Sequence, residues 1–335
     1  MAEVLQPRHA PIPTPKVKPI ISDQLRPSSS TTPKPIFDPA KHLSYKEDPK
    51  VLTLNDIGID NNDGISPVAV SDPFPLFSEE AIKIMRSEIF TNEVWENCMF
   101  SSEFAGCQLR GHCPKYAPFM HTSWTHPATL STISRIAGID LVPIFDYEIG
   151  NINISVNDPI ADSTKRSADQ SEDELPVTKW HHDSYPFVCV VMMSDARGMV
   201  GGETALRRGD GRIEKVRGPQ MGSAVILQGH IIMHQALSAR GASERITMIT
   251  SFRARDPFVK DTSVLTNIRP ISDKSEMYYQ WTRYRMEVLI KKLEGMKEVL
   301  DGEHNENEGT DVERVKVFLK EQEGWVQGTW REIEP

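Results

Sequence analysis

The spacing of apolar residues changes twice along this 335-residue chain. In the first part, to about residue 143, the clearest segments have helical spacing. Ser78–Phe90 opens with a serine cap and two acids and places apolar residues at 82, 85 and 89, which predicts a helix. A second helix is expected from His126 or Pro127 to Ala137, where Gly138 stops it. From 144 to 256 the pattern shortens to strand period. The later part of 144–156 alternates, which puts Asn151, Asn153 and Ser155 on one face. Further strands are expected at 179–183, 187–193, 203–207, 212–217, 223–228, 230–235 and 245–252, with a hairpin turn at Arg208–Gly211. After Pro257 helical spacing returns. An amphipathic helix over 275–300 should pack on the sheet or pair with a second copy as a homodimer, and a shorter helix follows at about 310–322.

Two stretches have no period. Residues 1–40 hold nine of the 24 prolines, too many for helix or ladder hydrogen bonding, and are expected to be a disordered tail. Residues 157–177 are polar and read as an insertion at the surface. The organisation expected is therefore a tail (1–40) and one α+β domain (41–335). Within that domain a helical part covers 41–143, a strand-rich core 144–256 and a helical part 257–335.

Composition narrows the partners. With 38 basic and 47 acidic residues the net charge is −9, and no basic stripe suited to nucleic acid is visible. No run reaches the ~20 apolar residues a membrane span needs. The N-terminus lacks the pattern of a signal peptide, and four scattered cysteines (98, 107, 113, 189) make no disulfide framework, so a reducing, cytoplasmic setting is expected. Those near 98–126, with His112, His121 and His126, lack the Cys-x-x-Cys spacing of a structural zinc site.

The chemistry-bearing residues lie between Trp180 and Asp256. On a strand His181 and Asp183 share a face, and His182 faces away. A third histidine brought in by another strand would complete two imidazoles and one carboxylate, a set that fills one face of an octahedron and leaves three positions open, as in non-haem Fe(II) oxygen chemistry. His230 and His234 are both placed to supply it. Arg245-Ile-Thr247 bears on the choice: a guanidinium and a hydroxyl on one strand face can bind a single carboxylate. His234 precedes Arg245 by eleven residues, room for a turn and a return strand, and is the ligand this favours. His230 is then a neighbour of the site, a substrate-facing residue or a core histidine. Trp180 and Tyr185 flank the metal motif as cavity walls, and alternation offers Gln228 and Arg253 as cavity-facing.

His181-x-Asp183, Gly201-Gly-Glu-Thr204, Gly222–Gln228, His234 and Arg245-x-Thr247 resemble, in order and spacing, the Fe(II)/2-oxoglutarate-dependent dioxygenase superfamily. The flanking regions resemble fungal members, some tied to secondary metabolism. The resemblance implies a double-stranded β-helix, or jelly-roll, with helices outside it. It implies Fe(II), 2-oxoglutarate and O2, consumed to succinate and CO2 while an unactivated C–H of a small molecule is hydroxylated, desaturated or cyclised, the molecule being an amino acid or fungal metabolite. It also implies a 2-oxoglutarate contact for Asn153 beside Arg245 and Thr247. Competing readings are a protein or nucleic-acid hydroxylase, and a cupin-like metalloprotein or sensor without 2-oxoglutarate. The latter would have no reason to carry Arg245-x-Thr247.

Overall fold

The computed structural model describes residues 35–101, 107–156, 179–216, 220–237, 239–240, 244–306 and 308–335. The expected tail at 1–40 lies outside these residues up to position 34, and the expected insertion at 157–177 lies outside them entirely. Ordered packing begins earlier than the helical pattern suggests. Phe37 is buried, with its ring edge-on to Phe77 and Phe119, and α1 (Pro39–His42) follows under an Asp38 cap.

Among the described residues ten strands form one antiparallel sheet. In chain order they are β1 (Val51–Thr53), β2 (Val68–Ser71), β3 (Phe74–Pro75), β4 (Met99–Phe100), β5 (Gln108–Leu109), β6 (Leu141–Pro143), β7 (Asn151–Val156), β8 (Phe187–Met192), β12 (Ser223–Leu227) and β15 (Glu244–Ala254). The path runs β1-β2-β12-β8-β15-β7-β5-β4, with β3 against β12 and β6 against β15. A second sheet, β11-β10-β13, is built from β10 (Thr204–Arg207), β11 (Ile213–Val216) and β13 (His234–Ala236), and β9 (Val200–Gly201) pairs with β14 (Ala239–Arg240).

Period-two alternation assigns the two faces of the large sheet. Ile152, Ile154, Phe187, Cys189, Val191, Ala224, Ile226, Ile246, Met248 and Phe252 point one way and join the main core. That face is covered by α2 (Glu79–Ile89), α4 (Pro118–Thr125) and α5 (Pro127–Ala137), through Ile82, Met85, Trp124 and Ile133 among others. The helices start where their caps dictate: the Ser78 side chain accepts from Ala81 N, His126 accepts from Ala128 N, and α5 ends at Gly138 with φ 70°. The opposite face carries Asn153, Val188, Val190, Met192, Ser223, Val225, Leu227, Arg245, Thr247 and Ile249. These line a cavity together with Thr204, Leu206, Val216 and Ala236 of the small sheet.

Beyond the sheets, α3 (Asn92–Cys98) precedes β4, and α6 (Lys274–Asn305) and α7 (Val312–Arg331) close the chain. Met277, Trp281, Tyr284 and Val288 of α6 pack with Trp325 of α7 against Ile144, Phe145, Tyr185, Leu265 and Ile268. The outer side of α6 leaves Tyr279, Met286, Ile290 and Leu293 exposed. Among the described residues no helix is long and apolar enough to cross a membrane.

The structure departs from the expected pattern in several places. The part up to residue 143 is not only helical: β1 to β6 lie within it, each too short to show a period, and all join the large sheet. Residues 179–183 form no strand; only an isolated bridge joins His181 to His234. The segment 230–235 is a turn that becomes β13 only at His234. Helix α7 runs on to Arg331 rather than stopping near 322, carrying Gly324 and Gly328 inside it.

Gln228 is corrected as well. It is fully buried and faces away from the cavity. Its amide donates to the carbonyls of Ser66 (3.0 Å) and Val68 (2.7 Å) and accepts from Ile65 N (2.8 Å), clamping the lead into β2. Gln228→Leu strands all three backbone groups and should cost about 2–3 kcal/mol of stability. A urea midpoint equal to that of the parent protein would refute this role.

Candidate metal centre

Three side chains from two segments converge at one end of the cavity. His181 and Asp183 come from the stretch before β8, and His234 opens β13. Their approach is set by backbone pairing: His181 and His234 exchange N–H···O bonds of 2.9 Å in both directions, and Asp183 N donates to Gly229 O at 2.9 Å. One ligand atom from each of the three lies within 4.8 Å of the others. The two Nε2 atoms stand 3.6 Å (His181) and 3.5 Å (His234) from Asp183 Oδ1. With metal–ligand bonds of about 2.0–2.2 Å, adjacent ligand atoms of an octahedral centre sit roughly 3 Å apart, so a modest inward movement completes the site.

The histidine tautomers are decided by what each Nδ1 faces. His181 Nδ1 lies 2.8 Å from Lys179 O and His234 Nδ1 lies 2.8 Å from Ile232 O. A carbonyl can only accept, so Nδ1 carries the proton in both rings and Nε2 presents its lone pair to Asp183. Asp183 Oδ2 is buried without a hydrogen-bond partner. Its other oxygen, Oδ1, faces the two imidazole nitrogens, and two imidazoles with one carboxylate are a donor set that fits a divalent cation.

The electrostatics agree with the geometry. Burial pushes the His181 pKa down, aided by the charge of His234. Burial also acts to lower His234, but the negative charge of Asp183 beside it outweighs this, and the net shift is upward. Desolvation opposes ionisation of Asp183, and the charges of His234 and His181 more than offset it, holding the carboxyl below its usual range.

The remaining candidates divide into those on the cavity and those away from it. Arg245 and Thr247 project from β15 into it, and Asn153 stands opposite Thr247 on β7. Arg245 is 8% exposed, and its guanidinium donates to Gly202 O at 3.3 Å while its Nε is buried without a partner. Burial lowers its pKa, which the charge of Glu203 counteracts, so a cation is held where an anion would be favoured. Tyr185 lines an adjoining polar cavity. Trp180 carries the Arg207 guanidinium over its ring at 4.8 Å. His230 braces the site from behind: its Nδ1 lies 2.9 Å from Asp183 O, so the ring holds the backbone of a ligand. Arg253 is a correction. It has the parity of Arg245, but β15 has left the cavity by then, and the guanidinium packs over Tyr284 and donates to Ala254 O.

Two glycines shape the site, and one of them, Gly229, escaped the motif reading. A Cβ on Gly229 would lie 1.8 Å from Asp183 Oδ2, so only glycine admits the carboxylate. Gly202 has φ +78°, and its carbonyl accepts from Arg245 while a Cβ there would meet Arg245 Nε at 3.4 Å. The Gly-Gly at 201–202, visible in the sequence as a motif, is thus the cradle of the arginine.

No family model matches the chain, and no curated protein does. Solved structures resemble it, and they are 2-oxoglutarate (2OG)-Fe(II) oxygenases. A 2OG-Fe(II) oxygenase-family oxidoreductase from Burkholderia pseudomallei has a TM-score of 0.32 and 15% identity, over 46% of this chain and 65% of that one. A prolyl 4-hydroxylase from Phytophthora capsici has a TM-score of 0.38 and 14% identity, over 63% and 68%. The α-ketoglutarate-dependent epimerase SnoN of nogalamycin biosynthesis has 0.38 and 12%, over 56% and 78%. This chain spans just under two thirds of the first. Likeness at this level assigns no role to any residue, which leaves the chain's own side chains to carry the functional reading.

Gly229→Ala drives a methyl group into the Asp183 carboxylate and should weaken metal binding by roughly 10–100-fold with the fold retained, as loss of support around a ligand does. Calorimetry with Co(II) checks it, and an unchanged affinity refutes the close approach. Metal affinity should also depend on pH. Protons and metal compete for His234 Nε2, whose pKa is raised, so affinity is complete at alkaline pH and falls as the pH drops through a value above the free imidazole's ~6.5. An affinity constant down to pH 5 would contradict this assignment.

Proposed function

We propose that the protein is an Fe(II)/2-oxoglutarate-dependent oxygenase acting on a small molecule. One observation carries the reading: a metal-competent set of two histidines and a carboxylate shares a cavity with a buried arginine whose guanidinium donates to the Gly202 carbonyl. The two facing sheets are then the halves of a jelly-roll, with the active site between them. His181, Asp183 and His234 hold the iron on one face. Arg245 and Thr247 anchor the distal carboxylate of 2-oxoglutarate, and Asn153 lies within the same pocket wall. When bound, the iron supplies the activation of O2 that couples 2-oxoglutarate breakdown to succinate and CO2 with oxidation of a substrate C–H bond.

The protein's own share is positioning. The Nδ1 bonds to Lys179 O and Ile232 O keep both rings in the ligating tautomer. Apolar residues such as Val190, Met192, Val225 and Leu227 exclude water around the dicarboxylate. Hydroxylation, desaturation or ring closure of an amino acid or a secondary metabolite all fit this arrangement. The acidic balance favours such a substrate over nucleic acid. The exposed apolar residues of α6 support a homodimer through that helix.

Arg245→Ala should weaken 2-oxoglutarate binding by about 30-fold or more, the usual loss when one partner of a buried charge pair is removed, and leave metal affinity intact. Calorimetry of the metal-loaded protein measures both, and succinate release reports turnover. Equal 2-oxoglutarate affinity in parent and variant would remove the basis for the assignment.

A further inference from the structure

His181 and Asp183 are walls of two cavities, not one. The first is the largely apolar chamber that contains Arg245. The second opens on the other side, under the segment before α6 that contributes Asn267, Ile268 and Ile271, and its character is different. Its lining includes Gln108, Arg110, Glu148, Asn151, Ser184 and Tyr185, each more than nine-tenths buried.

These groups are incompletely satisfied. Arg110 pairs with Glu148 Oε1, and Asn151 Nδ2 donates to Glu148 Oε2 at 2.8 Å, so the carboxylate is engaged by the protein itself. Among the described residues five polar atoms around it have no hydrogen-bond partner: Gln108 Oε1, Arg110 Nε, Asn151 Oδ1, Ser184 Oγ and Tyr185 Oη. Buried orphans at this density, in one cavity beside a metal site, mark a place where a ligand supplies the missing partners. Two of the five are obligate acceptors, one is an obligate donor and the two hydroxyls can be either. The ligand must therefore offer both a donor and an acceptor.

The charge balance separates this chamber from the other. Arg110 is already neutralised by Glu148, and a dianion entering here would meet the Glu148 carboxylate. Glu148 does not line the chamber that holds Arg245, so the dicarboxylate belongs there. The Arg110–Glu148 pair, its charges balanced and the groups around it unmet, suits a ligand with charges of both signs.

Resting on the oxygenase reading above, we propose that this second chamber is the substrate subsite and that it takes a small zwitterion, a molecule with an amine and a carboxylate. The carboxylate is received on the Arg110 and Ser184 side, and the ammonium by Asn151 Oδ1 and Gln108 Oε1. The carbon skeleton is left facing Val188 and Ile249, next to the metal ligands. Arg110 and Glu148 are specificity determinants in this arrangement.

The test is anaerobic calorimetry of the protein loaded with Fe(II) and 2-oxoglutarate. The probes are the twenty proteinogenic amino acids, each compared with the acid lacking its amine and the amine lacking its carboxylate. At least one amino acid should bind, and its two truncated relatives should bind at least roughly tenfold more weakly, because each leaves buried groups unpaired. The double variant Arg110→Gln/Glu148→Gln swaps the ion pair for a neutral pair of similar size and should abolish that binding while circular dichroism shows a folded protein. Ser184→Ala, which removes an orphan hydroxyl and threatens the fold least, should weaken it several-fold. The subsite assignment is overturned if 2-oxoglutarate binds but no amino acid does, if a truncated relative binds as tightly as its parent, or if either folded variant keeps full affinity. Failure of 2-oxoglutarate itself to bind would instead overturn the oxygenase reading. Amino-acid binding to the metal-free protein then decides the chamber by the same comparisons.

Discussion

The site depends on the strict alternation of a sheet that is covered by helices on one side only. Once Phe187, Cys189 and Val191 commit to the helical layer, Val188, Val190 and Met192 must face the other way. The same rule applied to β15 buries Ile246 and Met248 under Trp124 and its neighbours and turns Arg245 and Thr247 inward. An arginine in that position is buried. The cost of burying its charge is tolerable only if an anion is supplied. The hydrophobic layer thus holds the polar chemistry in place, and a register slip of one residue would exchange the two.

The second constraint is local. The three candidate ligands are held largely by backbone groups: two carbonyls fix the histidine tautomers, and a glycine lies against the carboxylate. Backbone supports of this kind come with the fold itself. They explain why the ligands converge without a regular strand beneath His181 and Asp183.

Much of this was legible in the sequence, for identifiable reasons. Helices α2 and α5 carry caps and spacing that speak for themselves, and the alternation of 151–156 and 245–252 is long enough to read. The pairing of His181 with Asp183 follows from separation by two, which brings side chains together in an extended segment whether or not it joins a ladder. Other features were hidden. Strands β1 to β6 span too few residues to show a period, and their membership of the sheet is a tertiary fact. Gln228 needed a parity reference: Ser223, Val225 and Leu227 face the cavity, so position 228 cannot. Arg253 has the right parity but lies six residues past Thr247, roughly 20 Å along the strand, where the cavity has ended. Gly229 carries no signal at all, because its role is the absence of a side chain beside a residue 46 positions earlier. The polar chamber around Arg110 and Glu148 was equally out of reach, since its members come from loops and short strands distant in the chain.

The account makes the triad and Arg245 two ends of one binding event. Its most direct test is optical. Anaerobic addition of Fe(II) and then 2-oxoglutarate should produce a weak visible charge-transfer band, which requires the keto acid to chelate the bound metal. The band should be lost in His181→Ala and Asp183→Ala. No band in the parent protein, with Fe(II) and 2-oxoglutarate both in excess, would contradict the account.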